Sequence, residues 1–135
     1  MNLIEKYPRL FPKDENGNPI GPNCGAHFGQ GWDDLVSTLC NKINSHLEYQ
    51  EKYKDNKLTF QIQQIKEKFG TLRFYYSGGD DYIAGMVSFA ESMSGKICEV
   101  TGDKGVLYEN GWVKTLSPKL VEMDDSYKMF KVYES

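Results

Sequence analysis

The stretch that decides the fold is "QIKEKFGTLRFYYSGGDD", Gln64 to Asp81. Just before it, Leu58, Phe60 and Ile62 alternate with Thr59, Gln61 and Gln63, the period of a half-buried strand that runs into it, over about 58–66. A second strand is predicted over about 71–77, with Leu72, Phe74 and Tyr76 on one face and Thr71, Arg73 and Tyr75 on the other. The short "EKFG" link contains Gly70, which can adopt positive φ, so the pair reads as an antiparallel hairpin. Gly78 and Gly79 end the second strand, and Asp80 or Asp81 can cap a helix reaching about Met93. Ile83, Met86, Val87, Ala90 and Met93 form its apolar stripe, and Ser94-Gly95-Lys96 is its stop.

Upstream, Leu35, Leu39, Ile43 and Leu47 recur every four residues, widened by Val36 and Cys40, and predict a helix over about 33–47. Asp33 and Asp34 lie in its first turn, at the positive end of the helix dipole. The polar "EYQEKYKDNK" that follows reads as a frayed end and a solvated loop. Residues 1–31 are dense in Pro and Gly and form an arm whose "YPRLF" docks on the core. Downstream, "ICEVTGDKGVLYENGWVKTLSP" reads as short strands joined by Gly-containing turns, and "YKMFKVYES" as an edge strand. The order gives one α+β domain: two helices packed on a small antiparallel sheet over 32–95, and a β-rich part over 96–135.

Composition narrows the function. At 39% hydrophobic and 26% charged residues, 135 residues suffice for one real core. A net charge of −3 without a basic run argues against generic duplex DNA binding, which needs a phosphate-neutralising face. No apolar run approaches the roughly 20 residues that span a bilayer, and the first residues lack a signal-peptide pattern, so a cytoplasmic protein with no membrane partner is expected. Cys24, Cys40 and Cys98 are odd in number and lack CxxC spacing, which favours free buried thiols over a disulfide scaffold.

Neither His27, in a Gly-rich loop, nor His46, near a helix end, has a catalytic helper at motif spacing. Zinc-helix, phosphate-loop, nucleophile-elbow and dinucleotide patterns are missing from the sequence. "GGDD" suggests paired carboxylates but falls where a helix needs a cap. A non-enzyme without cofactor or metal is expected.

The hairpin carries the binding chemistry. If the pleat continues, Phe60 and Ile62 share a face with Gln64, Lys66 and Lys68, so that face turns from apolar to cationic. Arg73 lies near Lys68 on the return strand, and Tyr75 shares its face. Lys66, Lys68 and Arg73 suit phosphate, while Phe69, Tyr75 and Trp32 offer stacking surfaces, a set suited to a nucleotide. The same residues also fit a solvent-exposed turn in which Arg73 pairs with Glu67, or a protein interface.

The segments "YPRLF", "CGAHFGQGW", "STLC", "KEKFGTLRFYYSGG" and "ICEVTG…GWVKTLSPKL" together resemble a family of small phage and prophage proteins, over most of the chain. That family's pattern ends in a zinc ribbon. Its ligand positions here read Cys98, Thr101, Ser117 and Leu120, which cannot hold the metal, and Thr71 stands where Gly is usual. The resemblance therefore implies a degenerate, metal-free ribbon held by packing of Trp112, Leu107 and Val113. It also implies a role in phage–host conflict, in the cytoplasm of an infected bacterium. The expected function is a sponge, an oligomer of identical chains, for a cyclic oligonucleotide or an ADP-ribose derivative of the CBASS or Thoeris type. The alternatives are an inhibitor that binds a host defence protein, and a degenerate ribbon module associated with nucleic acid.

Overall fold

The computed structural model describes residues 2–18 and 26–134, so Cys24 and the rest of the Pro/Gly-rich 19–25 segment lie outside it. In chain order the elements are α1 (Leu3–Lys6), β1 (Ala26–His27), α2 (Asp33–Lys54), β2 (Phe60–Lys68), β3 (Thr71–Gly78) and α3 (Asp81–Ser94). They continue with β4 (Val106–Glu109), β5 (Val113–Leu116), α4 (Pro118–Met123) and β6 (Lys131–Val132). The fold is α+β. One sheet has the order β1-β2-β3, with β1 parallel to β2 and β2 antiparallel to β3; the other is antiparallel, in the order β5-β4-β6. No helix among the described residues is long and apolar enough to cross a membrane.

β2 departs from the simple alternation. Ile62 pairs with Tyr76 and Gln64 with Tyr75, leaving Gln63 as a β-bulge. The extra residue switches the parity of everything after it. Ile65 turns into the core, fully buried, and Lys66 and Lys68 turn to the opposite face. An unbroken pleat would instead aim Lys66 at the core and Ile65 at water. Burying an isoleucine stabilises by about 1.5–3 kcal/mol, and an unpaired buried ammonium costs several, so the bulge wins. The predicted grouping of Lys66 and Lys68 with Phe60 and Ile62 is thereby corrected.

The first cluster of core residues joins the arm, both long helices and the sheet. Tyr7, Leu10 and Phe11 of the arm are buried against Val36, Leu39, Ile43, Ile62, Leu72 and Ile83. α2 runs seven residues past its predicted end at Leu47, to Lys54, before Asp55 closes it in the left-handed conformation. Glu, Gln and Lys are good helix formers, so the polar stretch stays helical without an apolar stripe, and Glu51 meets Arg9 of the arm in an ion pair. Asp80 caps α3, its Oδ1 accepting from the Ile83 N–H at 3.0 Å. Cys40 is free and buried, its thiol pushed up to about 12 by desolvation.

The second cluster, Cys98, Tyr108 and Leu116, takes in Val100, Leu120, Val121, Tyr127 and Phe130. The Thr101 N–H donates to Cys98 Sγ at 3.3 Å and the Leu120 N–H to Ser117 Oγ at 3.5 Å. The turns at 98–101 and 117–120 thus share local N–H bonds of the same spacing, and apolar side chains fill the space between them. Trp112 is not among these side chains. At 76% exposure it lies on the surface, correcting the expectation that it packs inside, while Leu107 and Val113 face Gly70 instead.

Candidate functional site

Register places the expected cations. Lys66 stands directly opposite Arg73 on β3, and on its other side His27 of β1. Residues in register across a sheet project to the same side, so His27, Lys66 and Arg73 form one cross-strand row, away from Ile65 and Phe74. Tyr75 and Lys68 share this face, and the Lys66 ammonium lies 5.7 Å from the centre of the Tyr75 ring. Among the described residues none of Lys66, Lys68 or Arg73 reaches a carboxylate within 4.0 Å. The Arg73–Glu67 pair of the alternative, solvent-exposed-turn reading does not form. Glu67 lies in register with Leu72 on the other face, and its Oε2 accepts the Gly70 N–H at 2.7 Å. Arg73 Nε is buried without a hydrogen-bond partner.

Phe69 and Gly70 form the two-residue turn, with φ of +54° and +80°. Such turns favour Asn-Gly, and a phenylalanine there is strained. The Phe69 ring is 66% exposed, with the Lys68 ammonium 5.6 Å from its centre. Gly70 is fixed from the far side: Thr115 Oγ1 donates to its carbonyl at 2.6 Å, and a β-carbon on it would lie 2.9 Å from Leu107 Cδ2. The turn is thereby docked on the β4–β5 sheet.

Trp32 is not part of the face. It is fully buried in the first core cluster and its Nε1–H donates to the Ile97 carbonyl at 2.8 Å, so the expectation that it stacks on a ligand is corrected. The Gly-rich loop before it explains the burial. A β-carbon on Gly31 would sit 2.1 Å from the Cys98 carbonyl oxygen, and only glycine lets that loop press against 98–102.

Two titratable clusters escape sequence reading because their members lie far apart in the chain. His46 Nε2 meets Asp80 Oδ2 at 2.7 Å, with the Tyr82 ring stacked 4.3 Å away. Burial pushes the Asp80 carboxyl upward, but the His46 bond and charge and the Ile83 and Tyr82 backbone bonds outweigh it and hold it below its usual value. Glu99 bonds Lys114 Nζ at 2.9 Å and the Thr115 N–H at 3.1 Å. Burial pushes Glu99 up despite Lys114; burial also pulls Lys114 down, but its bond and attraction to Glu99 lift it overall. The contrast follows exposure: the Glu99 side chain is 6% exposed and that of Lys114 35%. A cleft of about 380 Å³ opens beside this pair, lined also by His27, Phe28 and Glu67. Nothing in the spacing of these residues signals either cluster.

Compared with protein-family models, with characterised proteins and with solved structures, the chain matches none of them.

Proposed function

We propose that the protein is a non-catalytic binding protein for a phosphate-bearing nucleotide, captured on the outer face of the β1-β2-β3 sheet. The carrying observation is the row His27–Lys66–Arg73, in which two full positive charges are directly opposed with no carboxylate to separate them. Like charges at such positions destabilise a sheet by a few tenths to about 1 kcal/mol. A phosphate bridging them turns that repulsion into charge-assisted hydrogen bonds. Tyr75, beside the row, and Phe69, held out at the turn, supply faces for a base. The narrower reading, a viral sponge for a cyclic oligonucleotide or an ADP-ribose derivative, takes its support from the resemblance in the hairpin motif. Assembly of identical chains, with two such faces enclosing one ligand, belongs to the same proposal.

The test is calorimetric titration with a cyclic dinucleotide, a cyclic trinucleotide and ADP-ribose, alongside Lys66→Ala, Lys68→Ala and Arg73→Ala. One of these ligands should bind, and each variant should weaken it by roughly 10–100-fold, the worth of a hydrogen bond to a charged group. Lys66→Ala should unfold no earlier than wild type, since it removes a repulsion. Silence from all three ligands, or variants that bind as wild type does, would overturn the reading.

A second reading, an inhibitor that binds a host protein, has its own observation. Phe69 and Trp112 are both largely exposed and each lies one residue from the Gly70–Val113 contact. Rigid exposed aromatics of this kind anchor protein interfaces.

A further inference from the structure

Where α2 meets α3 the surface opens into two adjoining clefts, away from the residues of the proposed nucleotide face. One, of about 350 Å³, is apolar, with Leu35, Leu39, Met86, Phe89, Ala90 and Met93 in its walls. The other, of about 560 Å³, carries the polar side chains of Ser45, His46, Tyr49 and Gln50, although most of its lining surface is carbon. Lys42 and Tyr82 line both, so the two are continuous. Their sizes fall in the range of small-molecule sites.

The charge pattern is one-sided. No carboxylate lines either cleft, and Lys42, at the junction, pairs with no carboxylate among the described residues. The neighbouring imidazole, His46, already has its Nε2 on Asp80. The walls of the apolar half are also unlike an ordinary helix surface. α3 has no charged residue between Asp81 and Glu91, and Tyr82 and Phe89 stay exposed where a solvated helix normally carries charge. A cleft with an apolar floor, exposed aromatic rims and one unpaired ammonium where its two halves join is complementary to an apolar chain that ends in an anion.

We infer that the joined cleft binds an amphiphilic monoanion, a carboxylate on an aliphatic chain of medium length. The chain lies along Leu39, Met86 and Ala90, between the rims formed by Phe89 and Tyr82. The carboxylate meets Lys42, with Ser45 and Gln50 available as further donors. This site is independent of the hairpin face, so its failure leaves the proposed function standing, and the reverse.

The experiment titrates octanoate, decanoate and decanol into the full chain at submillimolar concentration, followed by amide NMR shifts and calorimetry. Decanoate should saturate with shifts confined to α2 and α3. Affinity should rise about fourfold per added methylene, the ratio given by about 0.8 kcal/mol per buried CH₂, and decanol should bind about tenfold more weakly than decanoate. Lys42→Ala should bring decanoate down to the level of decanol. Thr38→Trp, an exposed position lining the apolar half, should abolish both, with each variant melting as wild type does. Absence of saturable decanoate binding, or binding indifferent to Thr38→Trp, overturns the inference. Sedimentation showing self-association that Thr38→Trp removes and decanoate leaves intact would give this face to a second copy, and overturn it equally.

Discussion

Gly70→Ala isolates how the central hairpin is docked, because two penalties act on it together. At φ of +80° an alanine enters the left-handed region, at a cost of roughly 1–2 kcal/mol, partly offset by the entropy it removes from the unfolded chain. Its β-carbon would also lie 2.9 Å from Leu107 Cδ2, 3.1 Å from Val113 Cγ1 and 3.2 Å from the Lys114 carbonyl carbon. The last is backbone and cannot swing aside, so overpacking adds about 1–3 kcal/mol. The expected total is about 2–4 kcal/mol, a melting point lower by roughly 6–15 °C for a chain of this size. Gly111→Ala is the control. Its φ is +72°, yet nothing lies within 4 Å of an added β-carbon, so only the backbone term applies, about 1 kcal/mol. Urea denaturation of both variants, read by far-UV circular dichroism, gives the difference directly. If the two lose the same stability to within about 0.5 kcal/mol, the hairpin tip is not packed on the second sheet as described.

Two further predictions follow from buried polar groups. Trp32→Phe removes the bond to the Ile97 carbonyl and leaves that acceptor unsatisfied, so it should cost about 1–3 kcal/mol in urea denaturation while nucleotide affinity stays unchanged. Glu99 has its folded pKa raised, so its contribution to stability is complete below the ordinary value near 4.5 and is lost as pH rises through the higher folded value. Glu99→Gln should therefore flatten the fall in melting temperature on the alkaline side of pH 4.5. A slope identical to wild type would mean that Glu99 stays ionised at no cost to the fold.

The chain by itself determined the elements that a simple period can write. The 3.6-residue recurrence of Leu35, Leu39, Ile43 and Leu47 marks α2, and the cap at Asp80 with the stripe from Ile83 to Ala90 marks α3. Alternation through Phe60 and Ile62, and again from Leu72 to Tyr76, marks the hairpin, because a helix or strand must bury one face whatever surrounds it. The α+β class follows from their order. What a local pattern cannot carry is the bulge at Gln63, since its stabilisation comes from placing Ile65 in a core built by distant segments. That one residue parts the face of Lys66 and Lys68 from that of Phe60 and Ile62, while the turn at Phe69 and Gly70 sets Lys66 opposite Arg73.

The tertiary structure alone decided the rest of the site, for the same reason. His27 joins the cation row by parallel pairing with a strand 39 positions away, and Trp32 leaves the site because the Gly31 loop presses it into the core. His46 finds Asp80, and Glu99 finds Lys114, across separations that no motif spacing records. Period and capping are properties of neighbours along the chain. Charge pairing, burial of a ring and the choice of sheet face depend on which distant segments meet, and only the folded chain brings those together.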